Sequence, residues 1–505
     1  MKMKFIKNIF VASTAVLAMS AFTACDYLDI EPENKVPEEN VDFTKIENMY
    51  EPVSGCYAKI RTSNMHWVIN LMTNTRDGDI WSGRVDDQGE IVNFDKYVYN
   101  ASFWGLNEMW SQYYNIIRVC NAAIQSLDSY AENITSDTDM KKYLSYSGEV
   151  RTLRALAYYR LTQMFGDVSI MHSNTQSSLR RSTREVVYEY ILTDLEFAMT
   201  NTPKVRPNQM EHVGAASGFT AEALAAKVCM DKGDYQKALE YTNEIITSNL
   251  FELYPDYYQL FKLPGRLCNE SLLECQVTDF GIGDGDYVGV DQFFNCCGPK
   301  ITNSTTAVTS ASGWNFMGYK ASFVKWAEDR GETVRATTTF LKGGETTPSG
   351  DLVQAAGNPS NTNCWNGKYY LPLEQMTAPR NTYGSPNNVR ILRYADVLLM
   401  NAEAKVRLGQ NGDAPFNKVR TRAQMPTLSG VTVDQILDER RMELCGEWAN
   451  RLTDLIRTGK AATVLASQGY TPEKAYFPVP SSQSDVSTEL KLEPLTTLEE
   501  ALGQQ

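Results

Sequence analysis

Apolar side chains recur every three or four residues along several long stretches of the chain, which is the spacing of one face of an α-helix. The stretch 110–127 carries such a stripe, and so does 150–164, which is followed by Gly166 as a stop. The stripe residues are Trp110, Tyr113, Ile117, Cys120, Ile124 and Leu127 in the first, and Val150, Leu153, Ala157, Leu161 and Met164 in the second. Both patterns predict helices on a shared core, so the expected fold class is mostly α.

Two further stretches predict pairs of helices joined by a tight turn. Residues 219–246 consist of an Ala-rich helix, a turn and a second helix with one apolar face. Four residues match part of the tetratricopeptide pattern, in which small side chains let two helices approach closely: Ala226, Gly233, Tyr235 and Ala238. Residues 390–423 repeat the plan, with a stripe from Ile391 and a stop at Gly409. The sequence therefore predicts tetratricopeptide-like helical hairpins stacked as a scaffold.

The stretch 438–459 carries nine charged side chains among its first twenty residues. Its apolar stripe predicts a helix with one buried face: Leu437, Leu444, Trp448, Leu452 and Leu455. Three charge pairs at helical spacing are expected: Arg440 with Glu443, Glu447 with Arg451, and Asp454 with Arg457. An arginine near each glutamate favours the ionised carboxylate and opposes the raised pKa of a general acid. We therefore expect scaffolding, with an inter-helix network to Arg393, Asp396 and Glu403.

Residues 263–388 differ in character, since they are rich in Gly, Ser, Thr, Asn and Asp. Only short runs, such as "SLLECQV" and "GKYYLPL", predict strands. A long ordered loop region in a compact protein is commonly functional, so we expect this one to face a ligand. Four aspartates separated by glycines suggest calcium, but an EF-hand's spacing and final glutamate are missing and a Gly-Asp turn cluster is favoured: Asp279, Asp284, Asp286 and Asp291.

The N-terminus predicts an export signal. Three lysines precede an apolar run from Ile9 to Phe22, which is shorter than the ~20 residues that span a bilayer. The following "FTAC" resembles a bacterial lipobox, in which the chain is cut before the cysteine and lipid is attached to it. Cys25 would then be the lipid attachment site, with 1–24 as signal peptide and the acidic 25–45 as a tether.

Charge, cysteine content and histidine spacing exclude several classes of partner and site. The net charge of −13 repels a phosphate backbone, so no nucleic-acid partner is expected. Ten cysteines less Cys25 leave an odd number, none with metal-ligand spacing, and buried small hydrophobic roles are expected. The three histidines, His66, His172 and His212, lack a zinc-binding spacing, and the chain has no nucleophile elbow or phosphate loop. No metal, cofactor or catalytic residue is predicted.

Aromatic residues in polar, non-periodic surroundings are the best candidates for ligand contact, because rings stack on the apolar faces of sugars. Trp81 and Trp314 are the first two candidates, and Tyr287, Asn315 and Arg84 support them. Carboxylates around Trp81 could instead serve a glycosidase, and hydrogen bonding of sugar hydroxyls is favoured for them: Asp77, Asp79, Asp86, Asp87 and Glu90. Trp110 and Trp448, on helical stripes, are expected in the core.

Several blocks resemble one family, the SusD-like (SusD/RagB) outer-membrane lipoproteins of Bacteroidetes. They include "CDYLDIEPEN", "MYEPVSGCYAKIR", "GEVRTLRALAYYRLTQMFGDV", "RILRYADVLLMNAEA", "ILDERRMELCGEWANRLTDLIRTGK" and "FPVP", in family order over most of the mature chain. After "FPVP" the chain departs from the family's usual Asn-Pro-Gly-Tyr-like ending. The resemblance implies tetratricopeptide-like units and a loop-rich ligand face. It also implies a lipid-anchored protein on the outside of the outer membrane that delivers a glycan to a SusC-like TonB-dependent transporter without cleaving it.

On this basis we divide the body into a helical N-terminal part, 46–262, a loop-rich ligand-facing insertion, 263–388, and a helical C-terminal part, 389–505. Two alternatives stay open at this point. The ligand could be an oligopeptide, or the chain could be a helical-repeat adaptor without a small ligand.

Overall fold

A computed structural model describes residues 41–64, 67–82, 89–278, 293–355, 363–377, 386–448 and 450–503. Residues from Ile46 onward form one compact unit. The residues before it form a second unit, of which 41–45 are described. The expected signal peptide, Cys25 and most of the expected tether lie outside the described residues.

The fold is mostly helical, as the periodicity predicts. Its helices are α1 (Glu51–Asn64), α2 (Trp67–Asn74), α3 (Trp104–Ala131), α4 (Asp137–Phe165), α5 (Arg184–Asn201), α6 (Gly218–Lys232), α7 (Tyr235–Thr247), α8 (Tyr257–Leu260), α9 (Phe293–Cys297), α10 (Ala321–Asp329), α11 (Val334–Thr339), α12 (Tyr394–Arg407), α13 (Asp413–Arg422), α14 (Val433–Glu443), α15 (Asn450–Arg457), α16 (Ala461–Val464), α17 (Ser481–Ser484) and α18 (Leu498–Leu502). Short 3₁₀ turns connect several of them.

The long helices pack as a stack of hairpins. Helix α3 packs on α1 and α4, α4 on α5, α5 on α6, α6 on α7, α7 on α12, and α12 on α13 and α14. Local signals set the hairpin ends. Asp234 accepts a hydrogen bond from the Lys237 amide at 3.0 Å and caps α7, while Gly233, with φ of 76°, ends α6 in the left-handed region. The predicted tetratricopeptide-like scaffold is confirmed.

Short strands lie mainly between the helical parts. They are β1 (Ile80–Ser82), β2 (Val168–Ser169), β3 (Arg181–Ser182), β4 (Ser271–Cys275), β5 (Ile301–Thr302), β6 (Ser310–Ala311), β7 (Met317–Tyr319), β8 (Phe340–Lys342), β9 (Leu352–Val353), β10 (Cys364–Asn366) and β11 (Val389–Arg393). The pairs β1–β7, β2–β3, β4–β11 and β8–β10 are antiparallel, and β5 lies between β6 and β9.

Two sequence predictions about these segments need correction. The "SLLECQV" run does form β4, but the strand expected in "GKYYLPL" is displaced to β10, just before it. Lys262, just before the loop-rich region, explains part of the difference. Its buried Nζ donates to the carbonyls of Gly367 and Tyr370, which holds 367–370 as a turn around the Lys262 side chain. Likewise, Ile391 lies in β11, whereas the sequence placed it on the following helix.

The helix predicted over 438–459 is broken. Helix α14 ends at Glu443 and α15 begins at Asn450, because Gly446 and Trp448 have φ values of 69° and 46° in the left-handed region. The turn presses against β7 and β10, since a Cβ on Gly446 would lie 2.5 Å from the Tyr319 hydroxyl. Trp448 is buried as expected, but in this turn, where its indole N–H donates to the Arg390 carbonyl at 2.7 Å.

The charges of α14 and the turn after it enter buried ion pairs. We define the central ion network as Glu270, Glu332, Glu439, Glu443 and Glu447 with Arg330, Arg335, Arg393, Arg420, Arg422 and Lys368. Arg440 pairs with Asp396 and Asp454, and Arg457 with Glu403 and Asp454. The expected inter-helix network is therefore confirmed. Of the three pairs expected between neighbours on one helix, Asp454 with Arg457 is confirmed at 2.7 Å. The other two are wrong, because Arg440 pairs with Asp396 and Asp454, Glu447 with Arg393 and Lys368, and Arg451 with Asp79.

Burial opposes the charge of Glu443, but the guanidinium groups of Arg422, Arg393 and Arg335 outweigh it and lower the pKa of Glu443 to about 2. The pKa of Glu447 is lowered in the same way, with Arg393 and Lys368 overcoming burial. Neither carboxyl has the raised pKa of a general acid, which supports the scaffolding interpretation.

The C-terminal tail packs on the scaffold even though its sequence departs from the family ending. The Leu495 amide donates to the Arg181 carbonyl at 2.8 Å, and the Thr183 amide donates to the Leu495 carbonyl at 2.9 Å. Leu490 and Ala501 are buried. These backbone bonds hold the tail against β3 and the start of α5.

Seven of the eight cysteines whose side chains the structure describes are buried: Cys56, Cys120, Cys229, Cys275, Cys296, Cys364 and Cys445. Cys268 is half-buried. This placement agrees with the expectation that they act as small hydrophobic residues.

Candidate functional site

Three tryptophans and a phenylalanine meet at the surface where α2, α3 and the segment before β7 come together. We call Trp67, Trp104, Trp314 and Phe316 the tryptophan cluster. The Trp67 ring lies 5.7 Å from Trp104, 5.5 Å from Trp314 and 5.5 Å from Phe316, measured between centroids. The first two contacts are edge-to-face and the third is stacked, which are favourable aromatic geometries.

The cluster combines a buried base with an exposed rim. Phe316 is buried, and Trp67 and Trp314 are half-buried. Trp104 is exposed, with 43% of its surface accessible to solvent. An exposed tryptophan held among other rings is unusual on a protein surface, because the same apolar area would be more stable in the core. This arrangement can stack against a flat, partly apolar ligand.

Gly105 explains how α2 and α3 come close enough to join Trp67 to Trp104. A Cβ at Gly105 would lie 2.5 Å from the Phe103 ring, 2.9 Å from Met72 Sδ and 3.0 Å from Val68 Cγ2. A larger residue would therefore push α2 away from the first turn of α3. The glycine lets the two helices touch and places their tryptophans side by side.

Backbone hydrogen bonds fix the segment that carries Trp314. The amides of Gly313, Asn315 and Phe316 donate to the carbonyls of Pro299, Gly298 and Cys296, at 3.2, 3.2 and 3.0 Å. Asn315 adopts φ of 58°, a left-handed conformation that asparagine tolerates better than most residues. The result is a rigid loop that presents Trp314 to Trp67.

Polar groups flank the rings. Asn107 lies one helical turn after Trp104, and its Oδ1 accepts from Ser482 Oγ at 2.7 Å and Gln483 Nε2 at 2.8 Å. Asn315 Oδ1 is buried and has no hydrogen-bond partner within the described part of the chain. Amides beside aromatic rings can recognise hydroxyl groups.

Trp81 lies in β1, whereas the sequence placed it in a loop. It pairs with Gly318 of β7, and its ring covers that glycine, since a Cβ on Gly318 would lie 2.7 Å from Trp81 Cζ2. The residue is half-buried. Strand β7 follows Trp314 closely in sequence, so Trp81 supports the segment that carries this tryptophan.

Of the other predicted contact residues, Asn315 adjoins Trp314 as described above. Tyr287 and Arg84 lie outside the described residues, as do Asp86, Asp87 and the aspartates considered for calcium. These residues stay predictions.

The carboxylates before Trp81 are engaged inside the protein. Asp79 pairs with Arg441 at 2.5 Å and Arg451 at 2.9 Å. Asp77 accepts the amides of Asp79 and Ile80 at 2.8 and 3.1 Å. Burial, followed by the charge of Asp79, raises the pKa of Asp77 to about 7. Both side chains are buried, so this pair fixes the start of β1 and does not face the surface cluster.

Sequence reasoning missed Trp67 and Trp104. Each is the first residue of its helix, where a periodicity search treats a ring as part of the next stripe. Gly105 was an available signal, because a glycine inside a helical pattern commonly has a packing reason.

A family model described as "Starch-binding associating with outer membrane" matches residues 26–230, and one described as "SusD family" matches residues 301–491. The chain belongs to the SusD-like family. Trp67 and Trp104 come from the first matched region and Trp314 and Phe316 from the second, so the tryptophan cluster joins the two halves of this SusD-like protein.

SusD-like relatives match nearly the whole chain. A SusD-like protein of Bacteroides ovatus is 26% identical over 489 residues, covering 88% of this chain and 81% of that protein. Surface glycan-binding protein A from Bacteroides fluxus superposes with a TM-score of 0.74 at 24% identity, over 88% of this chain and 98% of that one. A Bacteroides thetaiotaomicron protein of the same name, in complex with laminarihexaose, gives 0.73 at 24% identity, with the same coverages of 88% and 98%. These solved structures share the SusD-like fold.

Proposed function

We propose that this SusD-like protein binds a glycan at the cell surface and delivers it to a SusC-like TonB-dependent transporter without cleaving it. The observation that carries the proposal is the tryptophan cluster, a surface group of rings with an exposed edge at Trp104. Surface glycan-binding proteins of two Bacteroides species have the same fold, which supports the ligand class.

The physical basis is stacking. A pyranose ring has an apolar face of C–H groups, and an exposed tryptophan buries that face while the sugar hydroxyls stay at the edge. Trp104 and Trp314 offer such faces. Asn107 and Asn315 supply amide groups beside them for the hydroxyls.

The predicted contact residues have graded roles in this proposal. Trp314 and Asn315 contact the glycan, and Trp81 holds β7 and offers its uncovered edge. Tyr287 and Arg84 stay proposed as further contacts with the glycan. Trp67 and Phe316 act from below by fixing the rings that touch the ligand.

The proposed location follows from the N-terminus. Cys25 carries the lipid, residues 25–45 form the tether, and the folded body lies outside the outer membrane, next to the transporter. No helix within the described ranges has the length and apolar character needed to cross a bilayer. Mass spectrometry of protein from a membrane fraction tests this lipid anchor. The proposal predicts an acylated Cys25 at the mature N-terminus.

Ligand class is tested by calorimetry and affinity electrophoresis of the wild-type chain against a panel of starch, laminarin, xyloglucan and peptide pools. The proposal predicts saturable binding to at least one glycan. Binding to peptides with no response to any glycan would replace it with the oligopeptide reading, and absence of both would favour the adaptor.

Binding without cleavage is tested by incubating the bound glycan with pure protein and measuring new reducing ends. The proposal predicts none above a buffer control. Turnover that Asp77→Asn abolishes would instead assign chemistry to the carboxyl with the raised pKa.

A further inference from the structure

A cleft separate from the tryptophan cluster lies between α10, α11, β8 and the loop that follows β8. Its volume is about 330 Å³, within the range of small-ligand sites. Threonines dominate its polar wall: Thr333, Thr337, Thr338, Thr346 and Thr347. Tyr258, Tyr370, Phe340, Leu341, Pro348 and Val353 supply its apolar surface. No member of the tryptophan cluster lines it.

The charged groups of the cleft largely cancel. Glu332 is neutralised by Arg330 and Arg335 of the central ion network. Glu328 pairs with Lys342, with Oε1 3.2 Å from Nζ. Glu345 is exposed at the rim. A nearly neutral wall of hydroxyls gives little attraction to a phosphate or a polybasic peptide. It suits a neutral ligand that itself carries many hydroxyl groups.

The tyrosine side of the cleft is held rigidly. Tyr258 Oη lies 3.1 Å from Ser349 Oγ, and Tyr370 Oη lies 2.9 Å from Thr347 Oγ1. Tyr370 also donates to Asp351 at 2.5 Å. Lys262 Nζ lies 4.9 Å from the centre of the Tyr258 ring and 4.8 Å from that of Tyr370. Both rings are thus fixed from beneath. Tyr370 is buried and forms the floor of the cleft, whereas Tyr258 is half-buried and is preorganised for stacking.

The hydroxyl of Thr338, in the cleft wall, is available for a further hydrogen bond. Thr338 is 2% exposed, and its Oγ1 has no hydrogen-bond partner among the described residues. A buried hydroxyl without a partner is costly, and such groups often mark a place for a ligand or a water molecule. The other threonines of the wall add hydroxyls nearer the opening, since Thr333, Thr337 and Thr346 are exposed.

The cleft and the tryptophan cluster are connected by one run of chain. From Trp314 the chain passes through β7 into α10 and α11, whose residues form the cleft wall, and on into β8. Strand β7 packs against β10, the partner of β8. Trp314 and the cleft wall are therefore parts of one continuous run of chain.

We propose that this threonine-lined cleft is a second saccharide site, distinct from the tryptophan cluster, that takes a short neutral oligosaccharide or the end of a longer chain. Threonine hydroxyls bond the sugar hydroxyls, and Tyr258 stacks on an apolar sugar face. The inference rests on the proposed glycan-binding function.

The test is a calorimetric titration of the full chain with maltohexaose, laminarihexaose and a xyloglucan oligosaccharide. Ala336→Trp fills the cleft, because Ala336 is a half-buried lining residue. Ala122→Trp, at an exposed position of α3, is the matched control for adding a tryptophan. Thr346→Val removes one rim hydroxyl at nearly constant shape and covers the case in which Ala336→Trp fails to fold. Trp104→Ala/Trp314→Ala removes the first site.

The expected result is two binding events in the wild type and in Ala122→Trp. Ala336→Trp should lose one event and keep the other unchanged, Thr346→Val should weaken the same event about threefold or more, and Trp104→Ala/Trp314→Ala should keep only that event. A single event that disappears in the tryptophan variant and is unaffected by Ala336→Trp and Thr346→Val would overturn the cleft and leave the proposed function standing. Absence of any glycan binding by the wild type would overturn both. A cleft that binds oligolysine but no saccharide would overturn the ligand class.

Discussion

Gly105 has no side chain, and it controls how Trp67 and Trp104 are placed. Its missing side chain lets Val68 and Met72 of α2 touch the start of α3. The position of Trp67 relative to Trp104 therefore depends on a contact that neither tryptophan makes.

Gly105→Ala tests this dependence. The added Cβ would collide with Phe103 and Met72, so we expect weaker glycan binding and a loss of stability of about 1–3 kcal/mol from overpacking. Calorimetry and urea denaturation measure the two effects. Gly55→Ala on α1 is the matched control, because it meets nothing within 4 Å and should stabilise the helix by up to about 1 kcal/mol without altering affinity. Equal affinity in both variants would contradict the positioning role.

Glu149 is a second residue whose surroundings decide its behaviour. It is 1% exposed and accepts hydrogen bonds from Tyr50 and Tyr57 at 3.2 and 3.1 Å. Burial raises its pKa from 4.5 to about 8, partly offset by these hydrogen bonds. A raised pKa in the folded state means that stability is present at low pH and is lost as the pH rises through this interval.

Glu149→Gln should remove this penalty. We expect the variant and the wild type to have similar stability at pH 4.5 and the variant to gain steadily up to pH 8, by about 1 kcal/mol or more. Urea denaturation at several pH values measures the difference. A gap that does not change with pH, or that favours the wild type at pH 8, would contradict the account.

At this scale the sequence located part of the site. Trp314 stood out because its Gly- and Asn-rich surroundings excluded a helical stripe. Trp67 and Trp104 did not stand out, because their exposure is set by the approach of α2 to α3, a tertiary contact with no period in the sequence. The burial of Asp77 and Asp79 was hidden for the same reason, since Arg441 and Arg451 lie far along the chain.

Among the elements, the break between α14 and α15 is the most informative. A period of three to four residues continues across it, yet Gly446 and Trp448 turn the chain so that Glu447 reaches Arg393 and Lys368. The spacing of apolar residues indicates which side chains are buried. A turn can bury the same side chains as a continuous helix, so the spacing alone does not reveal the break. Long regular helices such as α3 and α4 were predictable, whereas the short strands depended on distant partners.

Glu447→Ala tests the role of this turn. The Glu447 carboxylate lies 2.9 Å from Arg393 and 2.6 Å from Lys368, and the change removes it from both buried cations. We therefore expect the free energy of unfolding to fall by about 3–5 kcal/mol. Glycan affinity of the remaining folded protein should stay within about twofold, because the turn is not part of the cluster.

Asp434→Ala is the control for removing a carboxylate from the same region. Its pair with Lys460, at 2.7 Å, is solvent-exposed, so the expected loss is about 0.5 kcal/mol. Lost binding with normal stability in Glu447→Ala would move Glu447 from the scaffold to the binding site.

For the whole molecule, the central ion network connects the loop-rich region to the C-terminal helices through charges that stay ionised. Glu443 holds a pKa of about 2 in place of 4.5. A lowered pKa in the folded state gives stability that is present above the unfolded pKa and is lost as the pH falls toward the folded value. Burial opposes ionisation of Asp396 and Asp454 as well, and arginine and lysine partners again lower their pKa values.

Acid unfolding measures this contribution. The free energy of unfolding should fall steeply between pH 4.5 and about pH 2 as these carboxylates take up protons. Carboxyls with raised pKa values, such as Glu149, are protonated in both states in that range and do not contribute. Stability that is constant or increases on acidification below pH 4.5 would show that the network does not hold the fold together.

The architecture was more predictable than the site. The hairpin scaffold follows from local periodicity, helix caps and glycine stops. Each of these signals is contained within a short stretch of sequence. The tryptophan cluster arises where α2 and α3 meet the segment before β7. The threonine-lined cleft arises where α8 and the turn after β10 meet the chain from α10 to β9, so the sequence supplied the side chains of both without their arrangement.

The most direct test of the proposed function is a calorimetric comparison of wild type and Trp104→Ala/Trp314→Ala on the glycan that the wild type binds best. Loss of two stacking rings should weaken binding at the cluster by about 2 kcal/mol or more, which is roughly thirtyfold or greater in Kd. The melting temperature should change little, because both rings lie at the rim of the cluster. Unchanged affinity for the glycan in this folded variant would contradict the assignment of the tryptophan cluster as the binding site.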